Sequence, residues 1–207
     1  MKNGCVKVYK NSNQPRKKIL FLGYDREKTK LIDLLLSEDC EVHNAAEMVC
    51  KFDYDLIFCF GYRQIFKPSA LAKISCPIIN LHISYLPYNR GAHPNFWSFY
   101  ENTPKGVTIH LIDANIDTGP ILYQAPVLFD DKELTFREAY TILICKIETL
   151  FQKNMSDILD FRWKEKLQKG TGTFHYSKDL PKQFLGWDEN IGTEIDRLKK
   201  IAGDSND

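Results

Sequence analysis

Short apolar runs of strand length alternate with segments of helical spacing in the first part of the chain. The run 55–60 is Asp followed by Leu, Ile, Phe, Cys and Phe, and short apolar runs bounded by turn residues are typical of buried strands. Leu31, Leu34 and Leu35 recur at the spacing of one helix face. The elements predicted here are a strand at 18–22, a helix at 27–36, a weak strand at 41–43, a strand at 55–60, a helix at 68–73 and a strand at 77–80.

Strands that alternate with helices predict a mostly parallel sheet with right-handed crossovers. The fold class is therefore α/β, of the doubly wound, Rossmann-like kind. In such sheets a ligand binds beyond the carboxyl ends of the strands. Gly61 follows one predicted strand and Asn80 ends another, so we expect a ligand cleft beside these two residues.

The second part of the chain predicts an antiparallel addition to this sheet. The segments 106–112 and 121–129 are predicted strands, and the short connection between them favours antiparallel pairing. Pro126 interrupts the second strand, which suits an edge or a bulge. Thr135 is expected as the N-cap of a long amphipathic helix, with Glu138 at the capping-box position. The helices predicted here are 92–101, 135–161 and 194–201.

The charge balance limits the expected functions. The 207 residues include 28 Lys and Arg against 27 Asp and Glu, a net charge of +1. Such a balance disfavours nonspecific nucleic-acid or membrane binding as the main role. No apolar run approaches the roughly 20 residues of a membrane span, and the polar, basic start is unlike a signal peptide. A cytoplasmic location is the expectation.

The cysteines are scattered and carry no metal-site spacing. They lack CxxC pairs and the His/Cys patterns typical of zinc sites, and free Cys within apolar strands behaves as a small hydrophobic residue. We expect incidental thiols and no bound metal. The six positions are Cys5, Cys40, Cys50, Cys59, Cys76 and Cys145.

Asn80, His82 and Asp117 form a candidate set for acyl transfer to an amine. Residues two apart in an extended strand share one face, so Asn80 and His82 can act at the same place. An amide can donate to a carbonyl oxygen that becomes negative, an imidazole can take the proton of the amine, and a carboxylate can orient and charge-stabilise the imidazole. Structural roles stay open: Asn80 can cap a turn after a strand, His82 can be a packing residue, and Asp117 can make an Asx-turn.

Four stretches together resemble the formyltransferase family that uses 10-formyltetrahydrofolate. They are Asn80-Leu-His-Ile-Ser-Tyr-Leu-Pro87, Asn89-Arg-Gly91, Gly106-Val-Thr-Ile-His110 and Ile116-Asp-Thr-Gly-Pro120. They match the family pattern N-x-H-x-S-x-L-P, then G-V-T, then a D-[TAG]-G turn. The resemblance is strong over 55–130 and moderate over 18–54. It implies the formyltransferase-type α/β fold and a folate-dependent N-formyltransferase.

The resemblance implies roles for individual residues. Asn80 is the expected donor to the formyl oxygen, His82 the acid/base group and Asp117 its partner. The segment 61–66 matches the family loop that borders the pterin. The residues expected to bind the folate are Gln64, Ile65, Phe66 and Asp113. Ordinary core packing stays open for Ile65 and Phe66.

Within the family, the likeness is nearest to sugar N-formyltransferases, which act on nucleotide-linked amino sugars. The segments 89–97 and 172–179 carry this likeness. Arg90 and Lys178 can meet a diphosphate, and Tyr176 can stack on a base. The residues expected to bind the substrate are Tyr85, Asn89, Arg90, Asn95, Tyr176 and Lys178.

Structural roles also stay open for residues in and near the segments expected to bind the substrate. The aromatic residues of 96–100 can be the core stripe of a helix, and Arg90 can be a solvated loop cation. His93 and His110 are expected to be structural rather than catalytic.

The chain is expected to divide into three parts. Residues 1–17 are polar and predict a flexible extension or a loose edge strand. Residues 18–165 are expected to form the catalytic domain. The short, mostly irregular tail 166–207 is expected to complete the substrate pocket or to form a dimer contact, and a homodimer is the expected assembly.

The expected acceptor is a dTDP-4-amino-4,6-dideoxyhexose or its 3-amino isomer, and the expected product is a formamido sugar for a surface polysaccharide such as O-antigen. Three alternatives stay open. Methionyl-tRNA formylation usually needs a sizeable second domain, and fewer than 80 residues follow Phe129. Glycinamide ribonucleotide fits the length, although the Gly-rich phosphate loop expected after the first strand is missing at 23–26. The third alternative is a catalytically silent folate- or nucleotide-binding protein.

Overall fold

The computed structural model describes residues 6–47, 53–129 and 134–204, and Cys5 and Cys50 lie outside these ranges. The strands in the described residues are β1 Lys7–Tyr9, β2 Lys17–Gly23, β3 Cys40–Ala45, β4 Leu56–Phe60, β5 Ile78–His82, β6 Arg90–Gly91, β7 Gly106–Leu111, β8 Ile121–Pro126 and β9 Phe174–His175. The helices there are α1 Leu31–Ser37, α2 Pro68–Leu71, α3 Pro94–Tyr100, α4 Phe136–Leu159 and α5 Ile191–Asp204, with a 3-10 turn at Ser177–Asp179.

The central sheet is mostly parallel. Within the described residues seven strands form it, in the order β1-β3-β2-β4-β5-β7-β8, while β6 and β9 pair separately. Strands β3, β2, β4 and β5 are parallel, and β7 and β8 continue the sheet in antiparallel fashion. The predicted α/β class and its antiparallel extension are confirmed.

Apolar side chains cover both faces of this sheet. On one face, Phe58 of β4 meets Phe151 of α4 edge to face, with ring centroids 5.3 Å apart. On the other face, Leu20, Ile57 and Phe66 form a second buried cluster. Burying each large apolar side chain stabilises the fold by about 1.5–3 kcal/mol, so the alternating apolar runs of the sequence drive this layered packing.

A third apolar cluster joins α3, α4 and α5. The fully buried ring of Phe96 lies 5.6 Å from that of Phe136, and Ile191 and Ile195 of α5 pack into the same cluster. The aromatic residues of α3 therefore have the core role that the sequence left open. This cluster also fixes α5, which extends beyond the predicted 194–201, to the main domain.

The start of α4 follows the predicted capping box. Thr135 Oγ1 accepts from the Glu138 N–H at 3.2 Å, and the Thr135 N–H donates to the Glu138 carboxylate at 2.8 Å. Helix α1, in contrast, begins later than predicted. The Lys28 N–H donates to the Asp25 carbonyl oxygen and closes a separate turn before the helix begins.

Segments near both ends of the described residues pair with strands of the domain. Strand β1 pairs antiparallel with β3 at the edge of the central sheet. In the tail, the backbone of Lys166 pairs in both directions with Ile121, and β9 pairs with β6. Among the helices of the described residues, none is both long enough and apolar enough to cross a membrane.

Candidate active site

Asn80, His82 and Asp117 meet at one place beside β5. Asn80 and His82 occupy β5 itself. Asp117 lies in the connection between β7 and β8, whose base is closed by a hydrogen bond from the Leu111 N–H to the Pro120 carbonyl oxygen at 2.9 Å. This closure turns Asp117 back towards β5, so residues far apart in the sequence become neighbours.

The side-chain amide of Asn80 donates to two partners. Its Nδ2 lies 3.0 Å from Oδ1 of Asp117 and 3.1 Å from Nε2 of His110. Nδ1 of His110 lies 2.8 Å from the Leu111 carbonyl oxygen. Because a carbonyl only accepts, Nδ1 carries a hydrogen, and in this tautomer Nε2 accepts from Asn80. The reversed amide would set its oxygen against the Asp117 carboxylate, so these partners fix its orientation.

The ring of His82 is held at one nitrogen and open at the other. Nε2 lies 3.0 Å from the Asn89 carbonyl oxygen, so this nitrogen carries a hydrogen and donates it. Nδ1 lies 3.7 Å from Oδ2 of Asp117, too far for a hydrogen bond but close for opposite charges. A proton gained at Nδ1 is therefore stabilised electrostatically by the carboxylate.

The carboxylate of Asp117 is buried and ionised. Burial by itself raises the pKa of this carboxyl group, but the neighbouring His82 and the hydrogen bond from the Gly91 N–H outweigh burial and hold the pKa well below its usual 3.8. The Gly91 N–H donates to Oδ2 at 2.8 Å. Asp117 has a φ of 54°, in the left-handed region that Asp tolerates better than most residues. Its charge is thus available at neutral pH.

These groups supply what acyl transfer to an amine requires. An amide N–H can stabilise a developing oxyanion, an imidazole nitrogen can take a proton, and a fixed anion stabilises the resulting cation. An activated acyl donor needs no Ser or Cys nucleophile. The described residues contain no group of three or more His, Cys, Asp or Glu side chains arranged to hold a metal ion.

A cleft of about 640 Å³ opens in front of the three side chains. The loop after β4 forms one wall, and Gln64, Ile65 and Phe66 all line it. Ile65 is 68% exposed, which does not fit core packing, whereas Phe66 both lines the cleft and packs into the core. Asp113 lines the opposite wall, where its Oδ1 accepts from the Thr118 hydroxyl at 2.6 Å. All four expected folate residues therefore lie at the cleft.

The tail forms a further wall of the same cleft. Phe174, His175 and Tyr176 all line it. The ring of His175 stacks on Trp97 of α3, with centroids 3.8 Å apart and planes 8° apart, which fixes this wall to the domain. Tyr176 is more than half exposed, and Nζ of Lys178 lies 5.4 Å from its ring. Tyr176 and Lys178 are thus the two of the six expected substrate residues that lie at or beside the cleft.

Asn89 and Asn95 are buried away from the cleft, contrary to expectation. Asn89 is fully buried, and its Nδ2 donates to both Glu101 and Thr173 at 3.3 Å. Nδ2 of Asn95 donates to the Phe136 carbonyl oxygen at 2.8 Å. The polar side chains that were expected to bind the substrate instead satisfy hydrogen bonds inside the protein.

Arg90 and Tyr85 are likewise placed elsewhere. Both Nε and Nη2 of Arg90 donate to Oε1 of Gln168, at 3.1 and 2.7 Å, and Arg90 is not among the residues that line the cleft. The pairing of β6 with β9 directs it towards the tail. Tyr85 lines a separate groove of about 750 Å³ beside β8.

His110 and Gln168 belong to the site, although the sequence did not single them out for it. His110 is fully buried and touches Asn80 because β5 and β7 pair antiparallel with these two residues in register. The sequence predicted the pairing of β7 with β8 but not this one. Nε2 of Gln168 donates to the carbonyl oxygens of Asp117 and Gly119. No local sequence pattern marks Gln168.

Known proteins resemble this chain over most of its length. The sequence profile of the formyl transferase family matches residues 9–141. A dTDP-4-amino-4,6-dideoxyglucose formyltransferase of Mycobacterium tuberculosis is 29% identical over 170 residues, which are 80% of this chain and 70% of that protein. A methionyl-tRNA formyltransferase of Acidithiobacillus ferrooxidans is 29% identical over 140 residues, 66% of this chain but 42% of that protein.

Solved structures show the same likeness. The formyltransferase PseJ from Anoxybacillus kamchatkensis, crystallised with UDP-4,6-dideoxy-4-formamido-L-AltNAc and tetrahydrofolate, is 39% identical with a TM-score of 0.79. The match covers 86% of this chain and 97% of PseJ. A 4-N formyltransferase from Francisella tularensis shares the fold at 23% identity, with a TM-score of 0.73 and 88% coverage of both chains.

Proposed function

Because the chain belongs to the formyl transferase family, we propose that it transfers a formyl group from 10-formyltetrahydrofolate to the amine of a nucleotide-linked amino sugar. The observation that carries this proposal is the likeness to PseJ, whose structure holds a UDP-linked formamido sugar and tetrahydrofolate. A formamido sugar is the product of formyl transfer to a sugar amine, and tetrahydrofolate is what remains of the donor. The function expected from the sequence is the same.

The cleft suits a folate in size and chemistry. Its volume of about 640 Å³ lies within the usual range of small-molecule sites, about 300–1,000 Å³. Ile65 offers an exposed apolar surface on one wall, and the segment 113–117 forms the opposite wall. When bound, 10-formyltetrahydrofolate supplies an activated formyl group that an amine can attack.

Asn80 donates to the formyl oxygen as that oxygen gains negative charge. Both hydrogens of its amide are used, by Asp117 and by His110. Asp117 is the charged partner, and hydrogen bonds to charged groups are the stronger ones, so the bond to His110 is the one exchanged for the formyl oxygen. His110 thus holds the amide in place until a substrate takes over that hydrogen.

His82 moves the proton of the reaction. Its Nδ1 takes a proton from the attacking amine, and the carboxylate of Asp117 stabilises the imidazolium that forms. The new bond joins the sugar nitrogen to the formyl carbon, the bond to N10 of the folate breaks, and N10 receives the proton that His82 releases. The Asn89 carbonyl oxygen keeps the ring in the orientation that this needs.

The proposed amine is at C4 of the sugar. Both PseJ, by its bound product, and the Mycobacterium tuberculosis relative, by its name, concern 4-amino sugars, although one carries UDP and the other dTDP. The proposal therefore includes a UDP-linked acceptor beside the dTDP-linked acceptor that was expected from the sequence. We take the 4-amino-4,6-dideoxyhexose as the common acceptor class.

The tail contributes the acceptor side of the site in this proposal. Support comes from Phe174, His175 and Tyr176, which line the cleft, and from Lys178 beside Tyr176. Tyr176 can stack on a nucleobase, and Lys178 can meet a diphosphate. Residues 18–165 then hold the folate and the catalytic side chains. A homodimer and a cytoplasmic location stay predictions, the first measurable by light scattering of the purified protein.

The test is incubation with 10-formyltetrahydrofolate and a panel of acceptors, followed by mass spectrometry. The panel contains UDP- and dTDP-linked 4-amino-4,6-dideoxyhexoses, a dTDP-linked 3-amino isomer, glycinamide ribonucleotide and methionyl-tRNA. We expect a mass gain of one formyl group on a 4-amino sugar nucleotide. Formylation of glycinamide ribonucleotide or methionyl-tRNA alone would overturn the acceptor class, and folate binding without transfer to any acceptor would favour a silent binding protein.

A further inference from the structure

Gln168, a residue of the tail, contacts the backbone on both sides of the Asp117 turn. Its Nε2 lies 2.8 Å from the carbonyl oxygen of Asp117 and 2.9 Å from that of Gly119. Its Oε1 accepts from Nε and Nη2 of Arg90, at 3.1 and 2.7 Å. Gln168 is not among the residues that line the cleft. It therefore acts on Asp117 and not on a ligand.

The amide of Gln168 is used completely. A primary amide has two N–H donors and one oxygen with two lone pairs, and each of the four has a partner here. A reversed amide would set its oxygen against two carbonyl oxygens and its NH₂ against the guanidinium of Arg90. The orientation is thus fixed, and a carboxylate at this position cannot replace the two donated hydrogen bonds.

Gln168 closes a ring of contacts around Asp117. Arg90, which holds the amide oxygen, is followed by Gly91, whose N–H donates to Oδ2 of Asp117 at 2.8 Å. Gln168 therefore holds the backbone of Asp117. Gly91, which follows the Arg90 that Gln168 binds, holds the carboxylate of Asp117. These contacts are needed because Asp117 lies in a connection between strands and has a φ of 54°, in the left-handed region of backbone conformation.

The same short segment also holds His82. The Asn89 carbonyl oxygen accepts from Nε2 of His82 at 3.0 Å. The segment 89–91 therefore fixes the histidine through Asn89 and the aspartate through Gly91, while Gln168 joins Arg90 to the Asp117 turn. Gln168 itself is anchored, because Lys166 pairs with Ile121 through two backbone hydrogen bonds of 2.8 and 2.9 Å.

We propose that Gln168 is a positioning residue for formyl transfer: it sets the separation of Asp117 from His82 by holding the turn that carries the carboxylate. The inference rests on the proposed function for its catalytic consequence only. Because misplacing a catalytic group by about 1 Å can cost about 10²-fold in rate, loss of the contact should lower kcat by roughly 10- to 100-fold. The KM values for folate and acceptor should change less than about threefold, since Gln168 touches neither.

Two variants separate hydrogen bonding from packing. Gln168→Leu keeps an apolar stem of similar size and removes all four hydrogen bonds. Gln168→Glu keeps the acceptor for Arg90, and even adds charge to that contact, but it cannot donate to the two carbonyl oxygens. We expect both to lose turnover. Lys169→Ala, a change at the exposed neighbouring position, is the matched control and should keep wild-type kcat.

The outcomes decide the inference. A lowered kcat with nearly unchanged KM in both Gln168 variants supports positioning. Full turnover in Gln168→Glu would overturn it, since donation to the Asp117 turn would then be dispensable. A rise in KM with unchanged kcat would also overturn it and would indicate a part in substrate binding.

A crystal structure of Gln168→Leu tests the inference without any assay of activity. We expect the distance between Asp117 Oδ2 and His82 Nδ1 to exceed the present 3.7 Å by about 1 Å or more. An unchanged distance would contradict the inference even if formyl transfer is established. A wild-type protein that formylates no acceptor would contradict the proposed function alone, because the distance would still report on Gln168.

Discussion

Nδ1 of His82 lies 3.7 Å from Oδ2 of Asp117, on the side of the ring opposite the nitrogen that donates to the Asn89 carbonyl oxygen. This relationship decides which histidine nitrogen carries out chemistry. Nε2 is occupied by a backbone carbonyl, so a proton from a substrate amine can enter only at Nδ1. There it meets a carboxylate that is ionised at neutral pH, and the resulting ion pair is shielded from water by burial of both side chains.

Asn80→Ala should lower kcat by about 10²- to 10³-fold, the usual loss when one oxyanion donor is removed. Asn80→Asp should lose at least as much, because it sets a second carboxylate against Asp117, where the amide now donates at 3.0 Å. Steady-state kinetics measure both values. An Asn80→Asp variant more active than Asn80→Ala would contradict an oxyanion-donor role for the amide.

Asp117→Asn should change the dependence of stability on pH. The folded-state pKa of Asp117 lies below 3.8, so its ionisation stabilises the fold above about pH 4, and this contribution is lost as the pH falls further. The difference in free energy of unfolding between wild type and Asp117→Asn should therefore shrink between pH 7 and pH 3. Urea denaturation at each pH measures it. A difference between wild type and Asp117→Asn that stays constant over this range of pH would contradict the charge interactions assigned to that carboxylate.

Ile65→Ala should raise the KM for 10-formyltetrahydrofolate roughly tenfold, since apolar carbon atoms that a bound ligand would cover are removed. The turnover number should stay close to that of the wild type, because Ile65 lies away from the reacting groups. Leu185 has similar exposure, 63% against 68%, and does not line the cleft. Leu185→Ala should leave KM unchanged, and equal effects of both changes would contradict the placement of the folate.

Thr135→Ala should lower the free energy of unfolding by about 1 kcal/mol, the usual cost of losing an N-cap. Thr135 forms a reciprocal pair of hydrogen bonds with Glu138 at the start of α4. Thr141 lies farther along the same helix, exposed, with its hydroxyl bound to the Arg137 carbonyl oxygen. Thr141→Ala should change stability by less than about 0.5 kcal/mol, and an equal loss at both sites would contradict the capping role.

Most of the fold is predictable from sequence patterns, because the side chains that an element buries recur along the chain with the period of that element. The run 55–60 alone predicts the central strand β4, and Thr135 with Glu138 predicts the start of α4 to the residue. Asn80, His82 and Asp117 are predictable for a different reason. Their residue types meet the demands of acyl transfer, and their spacing matches a known family pattern.

The contacts that hold the site are not predictable in this way. Asn89 has a polar side chain suited to binding a substrate, yet it is buried because its hydrogen-bond partners are Glu101, just after α3, and Thr173 of the tail. Gln168 lies 51 residues from Asp117 in the sequence, and the pairing of Lys166 with Ile121 helps to bring the two together. Such partners are set by tertiary packing, which periodicity and propensity do not encode locally.

Turnover of His82→Gln tests the central claim most directly. Glutamine keeps an N–H that can donate to the Asn89 carbonyl oxygen, but it offers no nitrogen that accepts a proton. We predict a fall in kcat of at least about 10²-fold, with tetrahydrofolate binding within about threefold of wild type, while His43→Gln on β3 keeps full activity. Wild-type turnover in His82→Gln would contradict the account.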